Sequence, residues 1–466
     1  MISIQDVRAI KHGRPLFQDF HWTIRTGEHW VISGANGSGK SLLLEMMAGK
    51  LQLSNGKVAY DFVRETDWDS YFKALHEKIQ YIPAHAGHQL LRRHEGVFYQ
   101  QRYYGSFNED IPIVEEVFGP LLPQLKNLEL SESLNIKPLL PLPITRLSNG
   151  QIKKVLVLKG LIEKSPHLLL LDYPFEGLDD QSRTDFSHFL DYIVKHHDLQ
   201  LVLTDHYHHL PKVINRRLTL EDFRIQKQAA VKHPERAREG AHKPRSQQPA
   251  PPLASNPPVV EMKNLRIQYG EKIILNDFNW TVRQGERWAL TGPNGSGKTT
   301  LFSLIYADHP MAYSQEVSLF GKRRGSGESI WDIKERIHYL GPEVLSYLNP
   351  KHIRERAIDF IRDKQPELDE EAMKQLLDFF QAGNWVNLPV RQLSSGQLQL
   401  MLLLKCFLTK KELILLDEPF QFLDPQHKAL VSEYLQNYLD KEITLLLISH
   451  YSEDIVRWTQ QHMQLG

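Results

Sequence analysis

Two short segments of the chain combine glycines with a lysine and a hydroxyl residue at the same spacing. They read GANGSGKS and GPNGSGKT, and each lies between an apolar stretch that favours a strand and one that favours a helix. Glycines let backbone N–H groups turn toward phosphates, the lysine suits the outer phosphates, and the hydroxyl suits magnesium. The residues predicted to hold a nucleotide are Gly34, Asn36, Gly37, Gly39, Lys40 and Ser41 in the first loop and Gly292, Asn294, Gly295, Gly297, Lys298 and Thr299 in the second.

Each loop is matched by an aspartate at the end of an apolar run, in HLLLLDYP and ELILLDEP. Such runs are typical of buried parallel strands. Asp172 and Asp417 are therefore predicted to organise a magnesium ion. Glu418 follows the second aspartate and is placed to orient or deprotonate water, whereas Tyr173 occupies that position in the first copy. A phenol, with an intrinsic pKa of about 10, is a poor general base at neutral pH, so slow hydrolysis is predicted there.

The pentapeptides LSNGQ and LSSGQ each precede an aliphatic stretch that favours a helix. Together with the loops and the aspartates, they resemble the ATP-binding-cassette ATPases. In that family the signature serine and glycine face the γ-phosphate of a nucleotide held by the other domain, which implies this role for Ser148, Gly150, Ser394 and Gly396. The start of a helix favours an anion. Taken alone, the pentapeptide also fits an ordinary serine-capped helix.

The same resemblance implies ATP and Mg²⁺ as ligands and adds further candidate residues. His206 and His450 match the switch histidine at the γ-phosphate, and Tyr269 matches the aromatic that stacks on adenine. A structural role is the alternative for the histidines, and core packing is the alternative for the tyrosine. Asp179 and Asp424 match a loop that signals between sites.

If the halves pair head to tail, two composite sites result. One joins the first phosphate loop and His206 to the second signature, through the residues Lys40, Ser41, Asp172, Ser394 and Gly396. The other joins the second loop to the first signature, through the residues Lys298, Thr299, Asp417, Glu418, His450, Ser148 and Gly150. The second is the candidate for fast hydrolysis.

A repeat organises the chain, since HWTIRTGEHWVISGANGSGKS and NWTVRQGERWALTGPNGSGKT share one pattern. The order of elements predicts an α/β fold in each half, with a parallel sheet and helical stretches inserted at about 85–164 and 343–411. The resemblance adds a small antiparallel β part. The predicted division is a nucleotide-binding domain over 1–225, a flexible linker over 226–258 and a second such domain over 259–466. The basic residues of the linker fit either a solubilising tether or contact with nucleic acid or lipid.

Bulk composition excludes several classes of function. The 466 residues carry no net charge, so no global field attracts nucleic acid or anionic lipid. Cys406 is the only cysteine, which excludes an intrachain disulfide and suits a buried packing role in a reducing compartment. No apolar run is long enough to cross a bilayer as a helix. We predict a cytoplasmic protein that reaches the inner face of the plasma membrane only through a partner.

The stretch LFGKRRGSGESIWDIKERI, Leu319–Ile337, resembles a tandem subgroup of the family that is linked by name to molybdate transport and photorepair. That resemblance implies an ATPase component of a transporter, with transmembrane permease subunits as partners. The residues alone predict a strand, a basic turn and a helix capped near Ser329.

One departure from the family leaves an alternative open. A glutamine usually follows the strand after the phosphate loop, where the membrane partner is sensed, but YIPAHAG and YLGPEVL contain none. The alternative is a soluble ATPase that acts on the ribosome or nucleic acid. The translation-factor members of the family carry a long charged linker and an Asn-His-Leu-Asp sequence, and neither occurs here.

Overall fold

A computed structural model of the chain describes most of each half. The described residues are 1–11, 14–64, 67–84, 86–87, 112–127, 136–205, 210–231, 233, 256–269, 272–341, 350–363, 369–409, 411–449 and 459–465. Those up to His233 form one compact unit, and those from Asn256 form a second. They are called the first and the second unit below.

The first unit contains two β-sheets. Its strands are β1 (Ile2–Lys11), β2 (Arg14–Ile24), β3 (Trp30–Gly34), β4 (Leu53–Tyr60), β5 (Ile79–Ile82), β6 (Leu168–Asp172), β7 (Gln200–Thr204), β8 (Arg216–Glu221) and β9 (Arg224–Ala230). A three-stranded antiparallel sheet has the order β2-β1-β4. A larger sheet has the order β5-β6-β7-β3-β8-β9 and is parallel except for the β8–β9 pair. Strand β3, which leads into the first phosphate loop, therefore lies in the middle of the larger sheet.

Helices cover the larger sheet and fill the inserted stretch of the first unit. They are α1 (Lys40–Met47), α2 (Trp68–Lys78), α3 (Val114–Phe118), α4 (Leu122–Asn127), α5 (Asn149–Lys164) and α6 (Asp180–His196). Helix α1 begins directly at the phosphate loop, and α5 begins directly at the first signature. Both predicted anion-binding segments are thus helix N-termini.

The second unit repeats this plan. Its strands are β10 (Pro258–Tyr269), β11 (Lys272–Arg283), β12 (Arg287–Thr291), β13 (Glu316–Leu319), β14 (Lys322–Arg323), β15 (Ile337–Leu340), β16 (Leu413–Asp417), β17 (Thr444–Ile448) and β18 (Gln461–Gln464). The antiparallel sheet has the order β11-β10-β13-β14, and the parallel sheet has the order β15-β16-β17-β12-β18. The helices are α7 (Lys298–Ile305), α8 (Ile330–Arg336), α9 (Pro350–Arg354), α10 (Ala357–Arg362), α11 (Glu370–Phe379), α12 (Ser395–Phe407) and α13 (Pro425–Asn437).

The aspartate strands are buried on both faces, as their continuous apolar sequence predicts. In β6, Leu169 and Leu171 pack into one hydrophobic cluster while Leu168 and Leu170 pack into another, because side chains alternate across a strand. All four are at most 2% exposed. Complete burial of one leucine is worth about 1.5–3 kcal/mol, so this strand is held firmly between two cores. Its last residue, Asp172, is fixed accordingly.

The fold class predicted from the sequence is confirmed. Each unit has a parallel-sheet core, a small antiparallel sheet and helices in the inserted stretch. The helix predicted near Ser329 begins there, with the Ser329 hydroxyl accepting a hydrogen bond from the Trp331 N–H at 3.0 Å. Cys406 is fully buried, and burial raises the pKa of its thiol. Within the described residues, no helix has both the length and the apolar character needed to cross a membrane.

The structure differs from the predicted linker at its start. Residues 226–230, which were assigned to the linker, belong to strand β9 and pair with β8. The sequence RIQKQAA gave little indication of a strand because β9 is an edge strand whose side chains are mostly exposed and polar. Pro258 likewise already begins β10. Most of the remaining predicted linker lies outside the described residues.

A buried histidine in the second unit leads to a prediction about stability. His309 is 1% exposed, its Nδ1 accepts a hydrogen bond from the Met311 N–H at 3.1 Å, and burial lowers its pKa to about 4. The unfolded chain therefore binds more protons than the folded chain between the usual value of 6.5 and about 4. Stability should fall as the pH drops through this window.

We expect the Tm of the His309→Asn variant to fall less than the Tm of the wild type when the pH is lowered from about 7 to about 5. The reason is that asparagine keeps a hydrogen-bond acceptor but does not titrate. Scanning calorimetry of the full chain measures the difference. Burial also lowers the pKa of His338 to about 4, so part of the pH dependence should remain. Identical pH profiles of Tm for variant and wild type would contradict the assignment.

Candidate functional site

The two phosphate loops have the same backbone conformation. Gly34 and Gly292 both have φ of 142°, and a Cβ at either position would lie 2.2 Å from a carbonyl oxygen of a neighbouring chain segment. Gly39 and Gly297, with φ of 100° and 99°, precede α1 and α7 in the left-handed region. Only glycine takes these conformations without strain. The loops therefore need glycine both for their turn and for the close approach of another strand.

The turn between these glycines is also matched in the two copies. Gly37 and Gly295 have φ of 82° and 80°, each directly after the predicted Asn36 or Asn294. The hydroxyl oxygens of Ser38 and Ser296 are buried without a hydrogen-bond partner among the described residues. A buried hydroxyl without a partner is unfavourable unless a ligand or water satisfies it.

Both loop lysines lie inside their loops. The Lys40 ammonium donates to the carbonyl oxygens of Gly34 and Ala35 at 2.8 and 2.7 Å. The Lys298 ammonium makes the equivalent contacts, at 2.7 and 2.9 Å. The two lysines are only 4% and 6% exposed. A positive charge is thus held at the N-terminus of a helix, where it reinforces attraction for an anion.

The aspartate strands bring a carboxylate to each loop. The Ser41 hydroxyl donates to Asp172 Oδ1 at 3.0 Å, and the Thr299 hydroxyl donates to Asp417 Oδ2 at 2.9 Å. Burial raises the pKa of Asp172, and hydrogen bonds from Thr204 and Ser41 oppose that rise. A hydroxyl and a carboxylate beside a phosphate loop fit magnesium, which prefers oxygen ligands and takes few of them from the protein. The predicted pairs are brought together in both units.

Thr204 is a site residue that the sequence analysis missed. Its hydroxyl donates to Asp172 Oδ1 at 2.6 Å and accepts the Tyr173 N–H at 2.9 Å. The second unit has Ile448 opposite Asp417, in the same register of parallel strands. The difference between LVLTDH and LLLISH was visible in the sequence, but the pairing of the strands was needed to place it. Thr204 holds the first aspartate and the residue after it.

The residues that follow the aspartates are Tyr173 and Glu418. Both lie in the left-handed region, with φ of 47° and 54°, and both are 6% exposed. A non-glycine residue in this conformation costs about 1 kcal/mol or more, and such strain is concentrated at functional sites. The backbone N–H of Glu418 donates to the carbonyl oxygen of Ile448 at 2.9 Å. The Lys40 ammonium lies 5.8 Å from the centre of the Tyr173 ring. The two copies thus share the left-handed backbone conformation here but differ in the side chain and in the acceptor of the backbone N–H.

The signature serines cap their helices. The Ser148 hydroxyl accepts the Gln151 N–H at 3.2 Å, and the Gln151 side chain accepts the Ser148 N–H at 2.8 Å. Ser394 forms the same capping box, with distances of 3.3 and 3.0 Å. Gly150 and Gly396 are buried within the first turn of these helices. The capping interpretation therefore holds, and contact with a nucleotide bound by the other copy remains a prediction.

Several predicted residues cannot be placed in the site. His206 and His450 lie outside the described residues. Tyr269 ends strand β10, and its side chain is likewise outside the description. Asp179 and Asp424 cap α6 and α13, accepting backbone N–H groups at 2.7 and 2.8 Å. Their predicted role in signalling between sites stays a prediction beside this structural role.

Comparison with known proteins identifies the family. A family model described as ABC transporter matches residues 17–176 and 275–421, which is more than half of the chain. The chain belongs to the ABC transporter family. Each matched segment runs from the antiparallel sheet to just beyond the aspartate strand of its copy. The ATPase activity expected from the phosphate loops is therefore confirmed at the level of the family.

Several relatives match nearly the whole chain, and two of them are also matched over nearly their own length. The ABC transporter ATP-binding protein ModF of Escherichia coli (strain K12) is 29% identical over 461 residues, which is 93% of this chain and 90% of the relative. An uncharacterized ABC transporter ATP-binding protein of Schizosaccharomyces pombe is 28% identical over 466 residues, covering 95% of this chain and 93% of the relative. The subgroup indicated by Leu319–Ile337 is the one that contains ModF, so that resemblance is confirmed.

Solved structures with the same fold include two proteins at 18% identity. One, titled RNase-L Inhibitor, has a TM-score of 0.55 and covers 99% of this chain and 87% of its own. The other, from a model of ribosome-bound archaeal Pelota and ABCE1, has a TM-score of 0.63 and covers 99% and 78%. At this identity the likeness concerns the fold alone.

Proposed function

We propose that the chain hydrolyses MgATP in two composite sites formed head to tail between its copies, and that the site of Glu418 carries most of the turnover. The observation that carries the proposal is the matched geometry of the two loops and their aspartates, together with Tyr173 in the first copy at the position that Glu418 occupies in the second. ATP supplies the acceptors that the buried Ser38 and Ser296 hydroxyls require.

In the proposed reaction the side chains of the second unit act together with the first signature. Lys298 sits at the helix N-terminus and neutralises phosphate charge, while Thr299 and Asp417 hold the metal. When bound there, Mg²⁺ would supply positive charge that stabilises the phosphates. Glu418 is fixed by its backbone hydrogen bond to Ile448. Its carboxylate orients the attacking water and accepts a proton from it. The helix start at Ser148, from the first copy, contributes its dipole and hydroxyl to the same γ-phosphate.

The first site is proposed to bind MgATP and to turn it over slowly. Lys40, Ser41 and Asp172 repeat the binding geometry of the second copy. Tyr173 has no carboxylate to orient water, and it lies in the same left-handed backbone region as Glu418. Nucleotide binding needs the lysine, the hydroxyl and the aspartate, which the first copy has. Fast hydrolysis also needs the carboxylate, which the first copy lacks. The first site therefore serves to hold the copies together.

We assign the chain, as its role in the cell, to the ATPase component of a transporter of the molybdate type. The likeness to ModF over 93% of the chain supports this assignment. The protein would then work at the cytoplasmic face of the plasma membrane, bound to permease subunits. A permease is needed because the described residues contain no helix able to cross a bilayer.

A soluble role at the ribosome or on nucleic acid is the second candidate. This role is favoured by the segment that follows β5, where the family usually has a glutamine that senses the membrane partner. The described residues there include no glutamine and are Pro83, Ala84, Ala86 and Gly87. One of the structures that shares the fold contains a ribosome-bound ABC protein. This candidate requires no permease.

Purification of a Glu418→Gln variant trapped with ATP separates the two candidates. The variant should hold the closed state because ATP binds but is not cleaved. We expect a permease subunit to copurify from detergent-solubilised membranes with ATP and to be lost with the Lys40→Ala/Lys298→Ala variant, which cannot bind nucleotide. Mass spectrometry identifies what is captured. Ribosomal proteins or nucleic acid in place of a permease, retained under the same wash, would contradict the transport assignment.

A further inference from the structure

The first unit contains a group of charged residues, Lys153, Glu176 and Asp205, close to its site. Glu176 and Asp205 are 6% and 1% exposed, and Lys153 is partly buried on helix α5. Burial lowers the pKa of Lys153 to about 8, and the charges of Glu176 and Asp205 oppose this. Buried charges are costly unless they are compensated, so a cluster of this kind needs a reason. The three residues are called the charge cluster below.

Each member of the charge cluster belongs to a different segment of the site. Lys153 lies five residues after the signature serine Ser148, on the same helix. Glu176 lies in the loop that follows Tyr173. Asp205 follows Thr204, which holds the metal aspartate, and donates its backbone N–H to β3. The cluster therefore joins the signature, the loop after the metal strand and the strand end before His206.

The contacts of Lys153 tie two of these segments together directly. Its ammonium donates to the carbonyl oxygens of Pro174 and Glu176 at 2.8 and 2.7 Å. Asn149, in the first turn of the same helix, donates to the carbonyl oxygen of Gly177 at 3.4 Å. Hydrogen bonds from a charged donor are about twice as strong as neutral ones. The loop after Asp172 should therefore move together with the signature helix.

The second unit has neutral residues at all three positions. The counterparts by motif and strand register are Gln399, Gln421 and Ser449, which are 5%, 8% and 0% exposed. Gln399 keeps the contact to the loop, donating to the carbonyl oxygen of Pro419 at 3.0 Å. The fold therefore accommodates an uncharged set at the same place. The charges in the first unit are not required to form this architecture.

We propose that the charge cluster is a positioning device that couples occupancy of the first site to turnover at Glu418. This inference rests on the proposed head-to-tail pairing, in which Ser148 completes the site of Glu418. In this proposal, MgATP bound by Lys40 and Asp172 fixes the conformation of the loop that follows Asp172. Because Lys153 binds that loop and belongs to the same helix as Ser148, the position of the helix then depends on whether the first site is occupied. The slow first site thereby acts as the regulatory site for the fast one.

The test transplants the neutral set into the first unit, as Lys153→Gln/Glu176→Gln/Asp205→Ser. Removing Lys153 alone would take one positive charge away from two buried carboxylates, which destabilises the unit. The triple variant avoids this, since the second unit folds with the same residues. A smaller version, Lys153→Gln/Glu176→Gln, serves if the triple variant is unstable. Lys154→Gln, on the same helix, is the control for loss of a lysine.

The readout is a double-mutant cycle with Lys40→Ala, which empties the first site. In the wild-type background we expect Lys40→Ala to lower kcat by about tenfold, a usual size for coupling between sites. In the transplanted background the same change should lower kcat by less than about twofold, with radiolabelled ATP still bound at the second site. In the Lys154→Gln background the tenfold effect should persist.

The outcomes separate this inference from the proposed function. An equal loss from Lys40→Ala in the wild-type and transplanted backgrounds would overturn the coupling role of the charge cluster while leaving the composite sites intact. No loss from Lys40→Ala in the wild type, together with full activity of Glu418→Gln, would instead contradict the proposed sites. A kcat effect without a change in KM for ATP is expected, because no residue of the charge cluster belongs to the second phosphate loop.

Discussion

Replacing Glu418 with glutamine is expected to lower the kcat for ATP hydrolysis by about a hundredfold or more, the usual contribution of a general base. Glutamine has nearly the same shape, so it can occupy the same left-handed backbone position and keep the backbone hydrogen bond to Ile448. It cannot accept a proton from water. Binding of ATP should be unchanged because Lys298, Thr299 and Asp417 are untouched.

Tyr173→Phe is the matched control for Glu418→Gln. It occupies the equivalent position of the first copy and removes only a phenolic hydroxyl. Steady-state hydrolysis should stay within about twofold of the wild type, because a phenol with a pKa of about 10 contributes little as a base at neutral pH. Phosphate release at saturating ATP and filter binding of radiolabelled ATP measure the two properties. Equal losses from the two substitutions would contradict the proposed asymmetry of the sites.

The parts of the site that could be predicted from the sequence are those set by local rules. The conformation of the glycine loops and the capping of helices by serine each depend on only a few neighbouring residues. Both can therefore be predicted from a short segment of sequence. Asp172 and Asp417 were predicted because an apolar run specifies a buried strand whatever its neighbours are. The hydrogen bonds from Ser41 and Thr299 then follow from the fold of the family.

The parts that could not be predicted depend on which strands and loops lie side by side. Thr204 reaches Asp172 only because β6 and β7 pair in one particular register. In the sequence Lys153 is one of several lysines in the stretch that follows the first signature, and its contacts to Pro174 and Glu176 join segments about twenty residues apart. Strand β9 has a polar edge sequence that resembles a linker. Long-range pairing of this kind leaves little trace in local composition.

The proposed head-to-tail pairing makes an unequal prediction for the two signature serines. Ser148 and Ser394 cap their helices in the same way, so identical changes should affect helix stability equally. Asparagine is also a good N-cap but lacks the hydroxyl. We expect Ser148→Asn to lower kcat by about a hundredfold, as loss of a donor to developing charge does elsewhere, and Ser394→Asn by only about twofold.

The asymmetry arises because Ser148 would complete the site of Glu418, whereas Ser394 would complete the slow site of Tyr173. Equal Tm values for the two variants would show that the cap is kept in both, so any difference in kcat would report on chemistry. If Ser394→Asn were the damaging change, the Glu418 site would use the signature of its own copy, and the head-to-tail arrangement would be wrong. If both were harmless, the signature would act only as a helix cap. Measuring kcat for this pair therefore tests, with one matched substitution, which copy completes which site.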